Sequence, residues 1–200
     1  MSVKIGFTGA DSTGKSALIR KLTELFSREN KVKVLSIGDI ARCSPYPLVE
    51  QQSIESSNWI FEKVKSCEFT SQNEADILIC DRTVLDILIF SKLSAIKGFI
   101  SQSALECFSS KVELWLKTYL MIFYCVINNS FAVSVSNVPN GNLGMREKFE
   151  EFLMSEIQTF NTETVFVKLP NTLQERIVVV KAALNCPKQA RRTSYGRWGR

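Results

Sequence analysis

Hydrophobic and polar positions divide the chain into two alternating kinds of segment. Short, nearly continuous apolar runs occupy residues 3–8, 77–80 and 165–169, and a longer one covers Leu120–Ile127. Runs of this length, with so few polar interruptions, predict parallel strands covered on both faces. Lys31–Ile37 alternates instead and predicts another strand, ending at Gly38-Asp39. Between the runs the period changes. Leu18, Leu22, Leu25 and Phe26 recur at helical spacing within residues 15–29, which predicts an amphipathic helix. Further helices are expected from after Pro47 to about Ser66, over 83–97 and 103–118 on either side of Gly98, over Arg146–Thr159, and over Leu173–Leu184. Trp59, Ile60, Phe61 and Val64 would form the buried face of the first of these. Strands that alternate with helices predict an α/β domain with a parallel sheet and right-handed crossovers.

The breaks in the pattern mark the organisation. Ser44-Pro45-Tyr46-Pro47 interrupts the chain, because proline cannot continue a helix or a ladder. Residues 128–144 are rich in Asn, Ser and Gly and read as a loop or flexible lid. The expected division is one domain over 1–186, with its lid at about 128–146, and a basic disordered tail over 187–200.

Composition narrows the class. A hydrophobic share of 45% over 200 residues is enough for a full core without disulfide staples. The most apolar region, residues 83–100, is interrupted by Asp86, Lys92 and Lys97, so no run reaches membrane-span length. Met1 leads directly into a core strand, which argues against a signal peptide; a soluble cytoplasmic protein with no membrane partner is expected. The six cysteines include no C-x-x-C pair, and histidine is absent. A zinc site or disulfide framework is therefore not expected, and any general base must be a carboxylate or another group rather than imidazole.

The net charge is +5, and the tail accounts for all of it. Lys188, Arg191, Arg192, Arg197 and Arg200 lie there without a single acid, leaving the body with as many bases as acids. The body is thus not a general nucleic-acid binder. The tail, with Tyr195 and Trp198, fits either a contact to nucleic acid or an anionic surface, or a solubilising end.

One stretch carries specific chemistry. Gly9-Ala10-Asp11-Ser12-Thr13-Gly14-Lys15-Ser16 follows the first strand at once and opens the first helix. It matches G-x-x-x-x-G-K-[ST], the P-loop pattern. Gly9 and Gly14 let the backbone turn so that successive N–H groups face a phosphate. Lys15 would reach the β- and γ-phosphates and the Ser16 hydroxyl would hold Mg²⁺, while the helix start adds its positive dipole end.

Five more positions are candidates. Asp81 ends the third apolar run, at the strand end where ligands of open α/β sheets gather; it reads as a second Mg²⁺-holding residue or as the cap of the next helix. Arg82 fits a forked phosphate contact or an i,i+4 pair with Asp86. Asp39, at the end of the second strand, fits a general base or substrate-hydroxyl contact, or a turn former after Gly38. Arg42 follows as a substrate-phosphate ligand or an exposed arginine. Arg146 closes the glycine-containing 137–144 loop. A cation there suits a phosphoryl-transfer lid; the alternative is an ordinary first-turn helix residue, although a cation in that turn opposes the dipole. Trp59 and Phe61 could stack a base, although core packing accounts for them as well.

Ile5–Ser16, Ile79–Asp86 with its aspartate–arginine pair, and Gly144–Arg146 before a charged helix together resemble one P-loop family. It is the kinase-like domain of the NadR type, an AAA-domain family related to ribosylnicotinamide kinase and often encoded by phages. The resemblance covers about residues 2–185. It implies a three-layer α/β/α sandwich with a five-stranded parallel sheet of order 2-3-1-4-5, and ATP with Mg²⁺. By position it gives Lys15 a phosphate role, Ser16 and Asp81 magnesium roles, and Arg146 a lid role. The chain departs from the family in having Asn142 and Leu143, rather than acids, before Gly-x-Arg. The expected activity is transfer of the ATP γ-phosphoryl to a nucleoside, nucleotide or related small molecule, with Lys15, Asp39, Arg82 and Arg146 as catalytic candidates. Two alternatives stand beside it: an ATPase coupled to a partner or nucleic acid, and a nucleotide-binding regulatory module. Arg82 stands where a water-orienting glutamate would follow Asp81, which weighs against the ATPase. The absence of N-K-x-D weighs against a GTPase.

Overall fold

The structure, a computed structural model, describes residues 2–29, 32–127, 143–160 and 163–185. Most of the expected lid (128–142) and the whole expected tail (187–200) lie outside the described residues. Five strands, β1 (Val3–Thr8), β2 (Val34–Ile37), β3 (Ile77–Asp81), β4 (Met121–Cys125) and β5 (Val165–Leu169), pair in parallel in the order β2-β3-β1-β4-β5. The helices are α1 (Lys15–Glu29), α2 (Ile54–Gln72), α3 (Val84–Ile96), α4 (Gln102–Leu116), α5 (Leu143–Thr159) and α6 (Leu173–Asn185). The expected sheet order is the observed one.

Alternation along the strands builds two cores. Ile5 and Phe7 of β1 face α1 and α6, where Leu18, Leu22, Ile177 and Val180 bury them, and Phe7 stacks on Phe123 at 5.3 Å. The opposite face of the sheet packs against α2, α3, α4 and α5 through Ile60, Phe61, Leu88, Phe108 and Phe149. A sheet with both faces covered explains why its central strands read as unbroken apolar runs. Edge strand β2 is only partly buried, and its alternating sequence fits that position.

Lys4 and Gly6 lie on the second face. Lys4 is buried and donates to Glu68 of α2 at 2.6 Å and to Thr118 at 2.5 Å. Glu68, also buried, accepts from the Trp115 indole at 2.7 Å and from the Tyr119 hydroxyl. Buried charges need such full partnering. The sequence places Lys4 in a buried strand without naming its partner, and only the packed layers bring Glu68 to it.

Some boundaries differ from expectation. The helix expected after Pro47 starts at Ile54, because two 3-10 turns, Ile40–Cys43 and Val49–Gln51, use that chain first. Ser53 then caps α2, accepting from the Ser56 N–H, and α2 runs on to Gln72, past Ser66. Helix α5 begins three residues before Arg146. Ile60 and Phe61 are buried and Phe61 meets Phe108 edge-on, whereas Trp59 and Val64 are partly buried. Packing thus accounts for Phe61. Among the described residues no helix is long and apolar enough to cross a membrane.

Candidate functional site

The P-loop leaves β1 at its carboxyl end and enters α1, and its shape depends on three residues in left-handed backbone. Gly9 has φ +132°, Ser12 φ +58° and Gly14 φ +83°. A Cβ on Gly9 would lie 2.3 Å from the Cys125 carbonyl oxygen, so the loop sits directly on the end of β4 and only glycine fits. The first turn of α1 leaves N–H groups without helical partners, and these border the loop.

Lys15 folds back over that loop. Its ammonium donates to the carbonyls of Gly9 and Ala10, each at 2.7 Å, and to the Thr13 hydroxyl at 3.3 Å. Burial, with Arg82 nearby, lowers its pKa to about 8. The adjacent Ser16 hydroxyl donates to Asp81 Oδ2 at 2.7 Å. These two oxygens are the hard ligands that a magnesium ion prefers. No group of three or more Cys, Asp or Glu side chains suited to a metal occurs among the described residues, so an ion on this pair would draw its other ligands from phosphate and water. Asp81 does not cap α3. That position belongs to Thr83, which accepts from the Leu85 N–H, and Asp86 closes the capping box.

Arg82 is the hub of the site. It adopts φ +81°, and its backbone N–H donates to the Phe7 carbonyl at 3.0 Å. The guanidinium donates to the Gly9 carbonyl and to Asp86, both at 2.9 Å, and to Asp11. Asp39 Oδ2 lies 3.9 Å from its Nε. Burial works against the charge, but Asp86, Asp11 and Asp39 together hold Arg82 firmly protonated. The side chain also faces the rings of Phe149 and Phe90, at 5.7 and 6.0 Å. The expected Asp86 pair is therefore real, and the same side chain also grips the P-loop.

Asp39 takes the turn-forming role. It caps the Ile40–Cys43 turn through the Ala41 N–H at 3.2 Å, and its carboxylate is mostly buried. Burial raises its pKa above the ordinary aspartate value, against the pull of Arg82. Arg42 lies 3.5 Å away with its side chain 82% exposed.

A cavity of about 510 Å³ opens between β2, β3, α2 and α3. Asp11, Asp39, Asp81, Arg82 and Arg42 line it, together with Asp86, Glu68, Cys80, Gln52, Phe90 and several aliphatic side chains. Asp11 of the P-loop and the two strand-end aspartates thus line one cavity. Arg146 does not line the cavity. It is buried on α5, and its Nε finds no hydrogen-bond acceptor among the described residues.

Three residues at or beside the site escape sequence reasoning. Gln52 is buried in the cavity wall, donating to Ser57 and Ser91. Glu68 forms part of the cavity floor. Arg176 of α6 reaches the back of the P-loop, donating to the Thr13 carbonyl at 2.5 Å. None belongs to a local motif, and Arg176 is 163 positions from its partner.

Residues 4–176 match the family model of an AAA domain. Among solved structures the chain is similar to deoxyadenosine kinase from M. mycoides with the products dCMP and a flexible dCDP bound. That match has TM-score 0.60 and 14% identity, over 92% of this chain and 99% of the other. The same enzyme with bound dATP matches with TM-score 0.61 and 15% identity, over 92% and 100%. At such identity the likeness establishes the fold. No curated protein matches the chain.

Proposed function

The chain belongs to the AAA domain family, and on that premise we propose that it is an ATP- and Mg²⁺-dependent phosphotransferase whose acceptor is a nucleoside or a similar hydroxyl compound that carries no phosphate. The observation that carries the reading is that Asp11 of the P-loop and the mostly buried carboxylate of Asp39 line one cavity. A hydrolase would need a group that orients water, and the residue after Asp81 is Arg82 rather than a glutamate. The deoxyadenosine kinases share the fold, and the nucleoside class is carried over from them as part of the proposal.

Gly9–Ser16 would bind the triphosphate, with Lys15 leaving its carbonyl contacts for phosphate oxygens. Mg²⁺ held by Ser16 and Asp81 would supply charge neutralisation at those oxygens. Asp39 would accept the acceptor hydroxyl's proton, and its raised pKa makes it a better base than an exposed aspartate. Arg82, tied to Gly9, Asp11 and Asp86, would keep the donor loop and the acceptor wall in register. Arg146 would supply the lid cation; among the described residues its buried Nε has no acceptor, and a phosphate oxygen could provide one.

Charge separates nucleoside from nucleotide. The cavity presents five carboxylates against two guanidinium groups, and Lys4 neutralises only Glu68. A monophosphate acceptor would bring its own negative charges into that surplus. In coupled ADP release with ATP and Mg²⁺, nucleosides including ribosylnicotinamide should stimulate turnover strongly and their monophosphates weakly. Stimulation by monophosphates alone would overturn the acceptor assignment. Arg146→Ala should lower turnover by about 10²–10³-fold with little change in ATP affinity; an unchanged rate would remove Arg146 from the mechanism.

A further inference from the structure

Arg176 is fully buried, with 1% exposure, although it is the fourth residue of a surface helix. Its Nε donates to the Pro170 carbonyl at 2.7 Å, which anchors the guanidinium at the end of β5. One Nη then donates to the Thr13 carbonyl at 2.5 Å, inside the P-loop. Neither contact caps a helix or completes the sheet. An arginine with no route to solvent has been placed behind a phosphate loop, and the acceptor it holds is a backbone carbonyl of that loop.

The consequence follows from peptide geometry. The Thr13–Gly14 peptide is trans, as are all peptide bonds described here, so its C=O and N–H point in opposite directions. Fixing the Thr13 carbonyl toward Arg176 therefore aims the Gly14 N–H away from the buried side, toward the open face of the loop. Gly14 has φ +83°, and without this hold a glycine could rotate the peptide at little steric cost. Thr13 is held on its other side as well. Its hydroxyl donates to the Ala10 carbonyl at 2.9 Å and accepts from Lys15. The loop is thus fastened by α6 from behind, by the close approach of Gly9 to Cys125 from β4, and by Arg82 from β3.

We infer that Arg176 is a positioning residue for the triphosphate: by holding the Thr13 carbonyl it presets the Gly14 N–H as a phosphate donor and adds a buried cation beneath the loop. It does not touch the nucleotide. The inference rests on triphosphate binding at the P-loop and is independent of which acceptor is phosphorylated.

Its test measures ATP and adenosine binding to Arg176→Lys and Arg176→Met by calorimetry, well below the unfolding temperature of each variant. A misaligned loop of this kind costs on the order of 10–100-fold in triphosphate affinity. ATP affinity should fall by that factor in Arg176→Met and by less in Arg176→Lys, while adenosine affinity stays within about twofold. A merely structural role would lower the melting temperature and leave the ATP-to-adenosine ratio unchanged, and that result would overturn the inference. A measurement on the wild-type protein covers variants that fail to fold. In ¹⁵N-labelled protein, ATP should shift the Gly14 amide and the Arg176 Nε–H resonances together, and adenosine should shift neither. An Arg176 signal unmoved by ATP would also overturn the inference. Because the readout is binding, loss of the acceptor assignment would leave these results intact.

Discussion

At the scale of single residues, two titrating groups make opposite statements about pH. Burial brings the pKa of Lys15 down to about 8 from an ordinary 10.5. The folded chain therefore binds this proton less tightly than the unfolded chain. Below pH 8 the charge is held against the fold, and between 8 and 10.5 this residue's contribution to stability rises with pH. Triphosphate oxygens favour the charged form, so ATP binding at pH 8–9 should take up a proton. Calorimetry in buffers of different ionisation enthalpy should show that uptake in the wild type and none in Lys15→Ala. Heats independent of the buffer would contradict it.

Asp39 has the raised carboxylate pKa of a group that burial discourages from ionising. Its ionised form is a cost to the fold at neutral pH, and that cost is relieved as pH falls through the raised value. Asparagine keeps the turn cap without the charge. Asp39→Asn should lose about 10²–10⁴-fold in turnover and melt no lower than wild type at neutral pH. The wild-type acid limb of turnover should lie above the range of an ordinary aspartate. A variant with normal turnover would remove Asp39 as the base.

At the scale of elements, the Lys4–Glu68 pair joins β1 to α2, and Trp115 and Tyr119 bring in α4 and its exit. Removing one member of a buried pair leaves an unpaired buried charge, at about 3–5 kcal/mol. Glu68→Leu should be destabilised by that order in urea unfolding, and Lys4→Met combined with Glu68→Leu should be more stable than Glu68→Leu alone. Additive losses would show that the two charges do not interact.

These elements also show what a sequence can and cannot carry. The apolar runs of β3 and β4 are legible because both sheet faces are covered there, and the P-loop is legible because its chemistry needs contiguous residues. Lys4, Glu68 and Arg176 are not. Lys4 lies in a run that reads as a buried strand, but nothing local names its counter-charge; Glu68 and Arg176 belong to no local motif, and the partners of all three come close only through the sheet order. Asp39, Asp81 and Arg82 fall between these cases: strand ends mark them as candidates, but only the packed site shows that Thr83 does the capping and that Arg82 binds both Asp86 and the P-loop.

At the scale of the whole molecule, the parallel sheet brings the carboxyl ends of β1, β2 and β3 to one side, where Asp11 of the P-loop, Asp39 and Asp81 line one cavity; that cavity is the proposed acceptor half of a single site. The central claim is that a phosphoryl group crosses that site to a small acceptor. The most direct measurement follows ATP labelled at its γ-phosphoryl, with Mg²⁺ and a nucleoside, and resolves the products by chromatography. Label should appear on the nucleoside in one-to-one yield with ADP and should be lost with Lys15→Ala. Label released only as inorganic phosphate, whether or not a nucleoside is present, would contradict the account.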